Sequence, residues 1–275
     1  MARNELLDLL DRSRGERFEG HRVRAQLWRP AAGPVPASLI VLSHEVGGSA
    51  RDLGWLIRAL LAADLTVAAL EHRDAPGIEH LTGLWHRPLD VSFVLDHLSR
   101  TAELGPVGAA GFSLGGHTGG ALLGARVDPV RFAELLASDP GLATVAPAAT
   151  RSSGAPTGPV GAERIAIWMN AIGSDRSDQR VQAGYLLEPA FGALLTERSL
   201  QRIDLPVAVR WSDTDQNAVP RGSARRYARL IPGADGRSVG STSGHDYFID
   251  DAADGARMRG RVGADAAAFF QAHLG

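Results

Sequence analysis

The chain has 275 residues, of which 44% are hydrophobic and 22% charged, and its formal net charge is −2 at neutral pH. That length can bury a sizeable core, so one domain with an insertion is expected, and the balanced charge lacks the positive excess that nucleic acid or an anionic membrane requires. The absence of cysteine excludes disulfides, thiolate nucleophiles and thiolate metal sites; all 29 basic residues are arginine, which excludes lysine Schiff-base chemistry and a Walker-type phosphate loop.

Residues 1–14 place Leu6, Leu7, Leu9 and Leu10 on a short helical stretch, without the unbroken apolar region and small-residue cleavage site of a signal peptide. No uncharged apolar run elsewhere is long enough to span a bilayer, so a cytoplasmic location is expected by default. Residues 21–28 alternate through Val23, Ala25 and Leu27, which predicts an edge strand ending at Arg29-Pro30. Residues 37–43, 65–70, 107–112 and 206–211 are mostly continuous apolar runs, the pattern of central strands covered on both faces. Residues 53–63, 90–100, 114–126 and 220–230 have helical spacing, a further strand is expected at 237–241, and a closing helix at about 254–273. This alternation predicts an α/β architecture, a mostly parallel central sheet flanked by helices. Residues 127–178 break the rhythm with two Asp-Pro pairs and a Ser/Pro/Gly-rich tract, and are expected to form an inserted cap over the carboxyl edge of a core made from 1–126 and 179–275.

Gly111-Phe112-Ser113-Leu114-Gly115 fits the nucleophile-elbow pattern G-x-S-x-G, and its context supports it: a buried-strand run precedes it and a helical run follows. The sharp turn requires small flanking residues, which Gly111 and Gly115 supply, with further room at Gly116. Ser113 then sits at a helix amino terminus, where free N–H groups favour developing negative charge. A serine hydroxyl needs a base, and of nine histidines His245, in the loop before the closing helix, stands in the expected chain order. The orienting acid is expected from Trp211-Ser212-Asp213-Thr214-Asp215, with Asp215 preferred to Asp213. His117, one turn past Ser113, is read as a packing residue.

The order Ser113, Asp215, His245, with Ser43-His44-Glu45-Val46-Gly47-Gly48-Ser49 at an earlier strand end, resembles the serine α/β-hydrolase superfamily. The segment Arg87-Pro88-Leu89-Asp90-Val91 and the pair Gly244-His245 carry the likeness toward the dienelactone-hydrolase-like branch, near platelet-activating-factor-acetylhydrolase-like esterases. The resemblance implies the α/β-hydrolase fold, with backbone N–H groups of Leu114 and Val46 as the oxyanion hole. Two departures stand out. Dienelactone hydrolases proper use a cysteine nucleophile, and such families usually read Ser-His-Gly-x-Gly-Gly where this chain has Glu45. A glutamate there either points away from the site or lines it as an acid/base group.

Three functions follow. The first is a hydrolase of carboxylic esters, lactones or thioesters acting through Ser113, His245 and Asp215. The second is a non-hydrolytic tailoring enzyme, such as an isomerase, epimerase, cyclase or peptide-bond enzyme, using Glu45 or His245 for proton transfer. The third is a small-molecule binding protein on the same scaffold, which a complete triad disfavours. Glu45 and Trp168 are candidate substrate contacts, although an aromatic residue at helical spacing is more often plain core. The expected partner is a small-molecule or peptide substrate, with neither nucleic acid nor membrane. No cofactor and no metal are assigned, since His44-Glu45 and Glu71-His72 lack a third ligand, and the sequence assigns no oligomeric state.

Overall fold

The computed structural model describes residues 3–14, 20–31, 37–74, 77–138, 162–241, 244–249 and 255–275. Eight strands, β1 (Arg3–Asp11), β2 (His21–Arg29), β3 (Leu39–Ser43), β4 (Thr66–Leu70), β5 (Val107–Phe112), β6 (Val181–Leu187), β7 (Val207–Ser212) and β8 (Asp235–Gly240), form one sheet in the order β1-β2-β4-β3-β5-β6-β7-β8. β2 runs antiparallel to both β1 and β4, and all other pairs are parallel. The α/β architecture with a mostly parallel sheet is therefore as expected.

The described α-helices are α1 (Gly54–Ala62), α2 (Gly83–Thr101), α3 (Leu114–Leu122), α4 (Pro129–Ser138), α5 (Ala162–Ile172), α6 (Glu197–Leu200), α7 (Ala224–Leu230) and α8 (Ala256–Leu274), with short 3₁₀ turns between elements. Because strand side chains alternate between faces, the continuous apolar runs divide into two layers. Leu39, Val41, Ala109 and Leu186 join residues of α2, α3 and α7 on one face; Ile40, Leu42, Ala110, Tyr185 and Leu187 join residues of α1 and α8 on the other. None of the described helices is long and apolar enough to cross a membrane.

Three expectations need correction. Residues 3–11 are a strand and not a helix: Leu7 is buried and Leu9 half-buried between exposed Leu6, Asp8 and Leu10, and the segment pairs with β2 along its whole length. Asp8 bonds Arg22 and Arg24 across that pair, and Glu5 bonds Arg29, so cross-strand partners override the local helical spacing. For the same reason β2 is not an edge strand; its Val23, Ala25 and Leu27 are buried as the alternation requires. The sequence reading also omits β6, a central strand.

Within the interval 127–178, residues 139–161 lie outside the described ones. On either side of them α4 and α5 pack onto α2, with the Trp85 ring 6.3 Å from Phe132 and 6.1 Å from Trp168.

α2 begins seven residues earlier than its spacing suggests and carries Pro88 inside it. Proline has no N–H, so the Leu84 carbonyl one turn back loses its helical donor. His117 of α3 turns Nε2 toward that oxygen at 3.4 Å, while its Nδ1 meets the Tyr227 hydroxyl at 3.4 Å. Burial holds His117 down at about 4, so the ring is neutral at ordinary pH.

Candidate active site

Ser113 follows β5 and opens α3, with φ 55° and ψ −115°. A non-glycine residue at positive φ is uncommon and costs on the order of 1 kcal/mol or more. Close packing fixes it there. A Cβ on Gly111 would overlap the Gly115 carbonyl, and a Cβ on Gly115 would overlap the Ser43 carbonyl at the end of β3. The Ser113 N–H donates to the Leu187 carbonyl at 2.9 Å, and its own carbonyl accepts from Ala190 at 3.1 Å. Leu114 is the first residue of α3, so its N–H has no acceptor within the helix.

His245 Nε2 lies 3.0 Å from Ser113 Oγ, and His245 Nδ1 lies 2.7 Å from Asp215 Oδ2. The imidazole stands in a 3₁₀ turn, His245–Phe248, packed by its side chains. Its ring is 4.7 Å from that of Phe112, Phe112 is 5.5 Å from Phe248, and Trp55 Nε1–H donates to the Phe248 carbonyl at 2.6 Å. The turn is thereby tied to α1. Asp215 is buried beyond β7, its Oδ1 accepting the N–H groups of Asn217 at 2.8 Å and Ala218 at 2.9 Å. Burial opposes its ionisation, but the bond to His245, the neighbouring Glu188 and the Ala218 N–H outweigh this and bring it down to about 2. Asp213 points to the surface, bonded to Arg225 at 2.7 Å and Ser238 at 2.7 Å. It is Asp215, and not Asp213, that meets the histidine.

The loop after β3 brings Glu45 and Val46 alongside the elbow, since Gly115 packs directly against the carbonyls of Ser43 and His44. An unanticipated clamp holds this loop. Buried Arg87 of α2 donates through Nη1 to the His44 carbonyl and through Nη2 to the Glu45 carbonyl at 3.0 Å. It also grips Asp74 through Nε at 2.9 Å and Nη2 at 2.5 Å, and Asp74 accepts the Gly47 N–H at 2.8 Å. His44 adds a further tie: its Nε2 accepts the His72 N–H at 3.0 Å, leaving Nδ1 to donate to the Glu45 carbonyl at 2.6 Å. Burial, with the Arg87 charge beside it, holds His44 well below the usual imidazole range.

Glu45 folds back over its own turn. Its Oε1 fills the space where a Gly48 Cβ would stand, and its Oε2 is buried without a hydrogen-bond partner. Burial pushes the carboxyl up to about 7; its own backbone N–H pulls the other way, Asp52 adds to the rise, and Arg87 and His245 oppose it. Trp168 is buried against Trp85, and its described ring contact is with that residue and not with the triad. Among the described residues no group of three or more histidine, aspartate or glutamate side chains could hold a metal ion.

Sequence reasoning also passed over Glu188, fully buried immediately after β6 at φ 42°, whose Oε1 accepts the Ser212 N–H. A lone acid before a proline carries no motif, and only the fold brings it to Asp215.

No family model and no curated protein matches the sequence. Solved structures do match along nearly the whole chain. A ferulic acid esterase from Streptomyces cinnamoneus is similar at TM-score 0.65 and 18% identity, covering 99% of this chain and 90% of its own. The esterase domain of a Rhodothermus marinus protein aligns at TM-score 0.58 and 13% identity over 99% of this chain and 100% of that one. An α/β serine hydrolase homologue from Coxiella burnetii aligns at TM-score 0.58 and 12% identity, covering 95% of this chain and 96% of its own. At these identities the likeness concerns the fold, and the chain has the α/β-hydrolase fold.

Proposed function

We propose that the protein is a serine hydrolase of carboxylic esters, lactones or thioesters. The observation that carries this reading is the run of contacts from Ser113 Oγ to His245 at 3.0 Å and from His245 to Asp215 at 2.7 Å, at an elbow whose serine is held at positive φ. Ser113 Oγ attacks the substrate carbonyl carbon while His245 Nε2 takes its proton, and Asp215 holds the tautomer and stabilises the imidazolium. The N–H groups of Leu114 and Val46 receive the negative oxygen of the tetrahedral intermediate. His245 returns the proton to the departing alkoxide or thiolate, which leaves Ser113 acylated. Water, deprotonated by His245, then attacks the acyl-enzyme and releases a carboxylic acid and free Ser113.

Neighbours described as esterases support an ester as the substrate class. The loop Ser43 to Ser49 and the Arg87-Pro88 segment favour the dienelactone-hydrolase-like branch, with residues 127–178 as a cap bordering the site. The test is a fluorophosphonate probe: Ser113 is expected to be labelled, and Ser113→Ala to lose both labelling and ester turnover. Turnover retained in that variant rejects the covalent mechanism.

A second reading rests on Glu45. Its buried, unpartnered Oε2 and a carboxyl raised to about 7 supply a transferable proton at neutral pH, as an isomerase, epimerase, cyclase or peptide-bond enzyme would need. On that reading Glu45→Gly destroys the native reaction while raising generic esterase activity. A change in neither discards it.

A further inference from the structure

Asp215 does not stand alone behind His245. Glu188 and Asp215 flank Ser212, whose N–H donates to Glu188 Oε1 and whose carbonyl accepts the Asp215 N–H at 3.4 Å; both acids are almost wholly shielded from solvent, and each shifts the titration of the other. Among the described residues neither forms an ion pair with an arginine, and the one basic side chain that meets the pair, His245, is bonded to Asp215. The two acids are unequally served. Asp215 accepts from His245 Nδ1–H and from the N–H groups of Asn217 and Ala218. Glu188 accepts through Oε1 from the Ser212 N–H alone, and its Oε2 is buried without a donor.

Two ionised carboxylates in contact inside a protein repel each other, and one shared proton removes that repulsion. The donors decide where the proton resides: three favour the charged form of Asp215, and one serves Glu188. A proton on Glu188 also supplies what the pair otherwise lacks, a donor between the two groups. We infer that Glu188 stays protonated in the folded protein and donates its carboxyl O–H to Asp215, so that the pair bears a single charge and positions His245. For its catalytic consequence this rests on the serine-hydrolase reading above.

The electrostatics agree. Burial, reinforced by contact with Asp215 and by the charge of Asp213, pushes Glu188 up to about 10. The local backbone serves the same end: the φ of 42° at Glu188 is a strained conformation for a long side chain. Its N–H continues the ladder to the Arg210 carbonyl at 2.8 Å, and its carboxyl reaches the Ser212 N–H at the end of β7. Glu188 is therefore a positioning residue: its carboxyl is bonded at Ser212, and it acts through Asp215.

Glutamine reproduces both bonds of a protonated glutamate, accepting from Ser212 and donating to Asp215, whereas leucine reproduces neither. Three measurements on the full chain test this, two of them independent of turnover. The ¹⁵N-detected titration midpoint of His245 is expected to agree between wild type and Glu188→Gln within about 0.3 unit, because no charge is removed; a fall of about a unit or more means Glu188 is ionised and overturns the inference. In thermal melts Glu188→Gln should match wild type near pH 4 and gain on it from about pH 5 to 9, since only the unfolded wild type releases this proton across that range. A constant difference overturns the inference. In ester hydrolysis Glu188→Leu is expected to lose about tenfold in kcat with KM little changed, and Glu188→Gln to recover most of that loss; equal losses in the two variants overturn the positioning role.

If Glu188→Gln does not fold, a protonated-carboxyl infrared band in the wild type at pH 8–9, with Glu45 already ionised, supports the inference, and its absence overturns it. Failure of the hydrolase reading appears separately, as absence of fluorophosphonate labelling at Ser113.

Discussion

Among the described residues two Ser–His–Asp chains stand at the carboxyl ends of adjacent parallel strands. One is Ser113–His245–Asp215 beyond β5. The other is Ser43–His72–Asp90 at the end of β3, with Ser43 Oγ 2.8 Å from His72 Nε2 and His72 Nδ1 3.4 Å from Asp90. Ser43 pairs in register with Gly111, two residues before Ser113. The same three residue types in the same tautomeric order therefore occur twice, and their surroundings separate them. Ser43 ends a regular strand, whereas Ser113 occupies a strained turn at the head of a helix. The His72 side chain is 1% exposed and that of His245 11%. Asp90 is also taken by His21 at 2.9 Å and Arg14 at 2.9 Å, so it anchors three segments, while Asp215 meets one imidazole and two N–H groups of its own turn. Composition and spacing make a hydrogen-bonded chain; reactivity needs access to the base and N–H groups aimed at the developing charge.

The sharpest way to break this contrast is to remove each hydroxyl. Ser113→Ala should lower ester turnover by about 10⁴-fold or more, and Ser43→Ala should stay within about twofold of wild type. A large loss in both would make the buried chain part of the catalytic apparatus. Next in size is the loop clamp. Arg87→Ala leaves Asp74 buried without its cation and frees the carbonyls of His44 and Glu45. Turnover should fall by about 10²–10³-fold, the scale of losing one oxyanion donor, and urea melts should show a loss of about 3–5 kcal/mol. Stability lost with turnover intact would make the clamp purely structural.

A smaller effect is expected at Glu45. Its carboxyl is neutral below about pH 7 and charged above it, so it opposes an oxyanion only on the alkaline side. The ratio of Glu45→Gln to wild-type ester turnover should rise through pH 7 by up to about tenfold; a flat ratio would show that the carboxyl does not sense the reaction. Smallest is the stability effect of Ser43→Ala, which removes the donor to His72 Nε2 and should cost about 1–2 kcal/mol in urea melts.

The three side chains that the fold brings together, Ser113, His245 and Asp215, lie on local sequence signals: glycines flanking a serine between a strand and a helix, a histidine before the last helix, acids just past a strand. The choice between Asp213 and Asp215 is less local, since both follow β7. It is decided by Arg225 and Ser238 meeting the first and His245 the second. The first strand was illegible for a related reason. Four leucines in five positions fit a helical stripe as well as a strand, and only pairing with β2 selects between them. Asp74 and Glu188 carry no pattern, and Arg87 stands in a family-like segment that does not reveal its clamp, because each gains its role from segments distant in the chain. Their types were visible and their partners were not.

The proline in α2 has an effect that reaches the loop after β3. By removing one donor it opens the Leu84 carbonyl to His117, so a single uncharged ring couples the helix bearing Arg87 to the helix headed by Ser113. The two walls between which a tetrahedral intermediate would sit are thus indexed to each other from below, and neither slides without the other. Acid tells against this buried neutral ring: below the normal imidazole range the unfolded chain gains a proton that the folded ring refuses until about pH 4, although a charged ring would keep its N–H bond to Leu84. The stability drawn from this ring is therefore expected to fall on acidification from the imidazole range toward pH 4, before the Asp215 carboxylate, held at about 2, is itself neutralised.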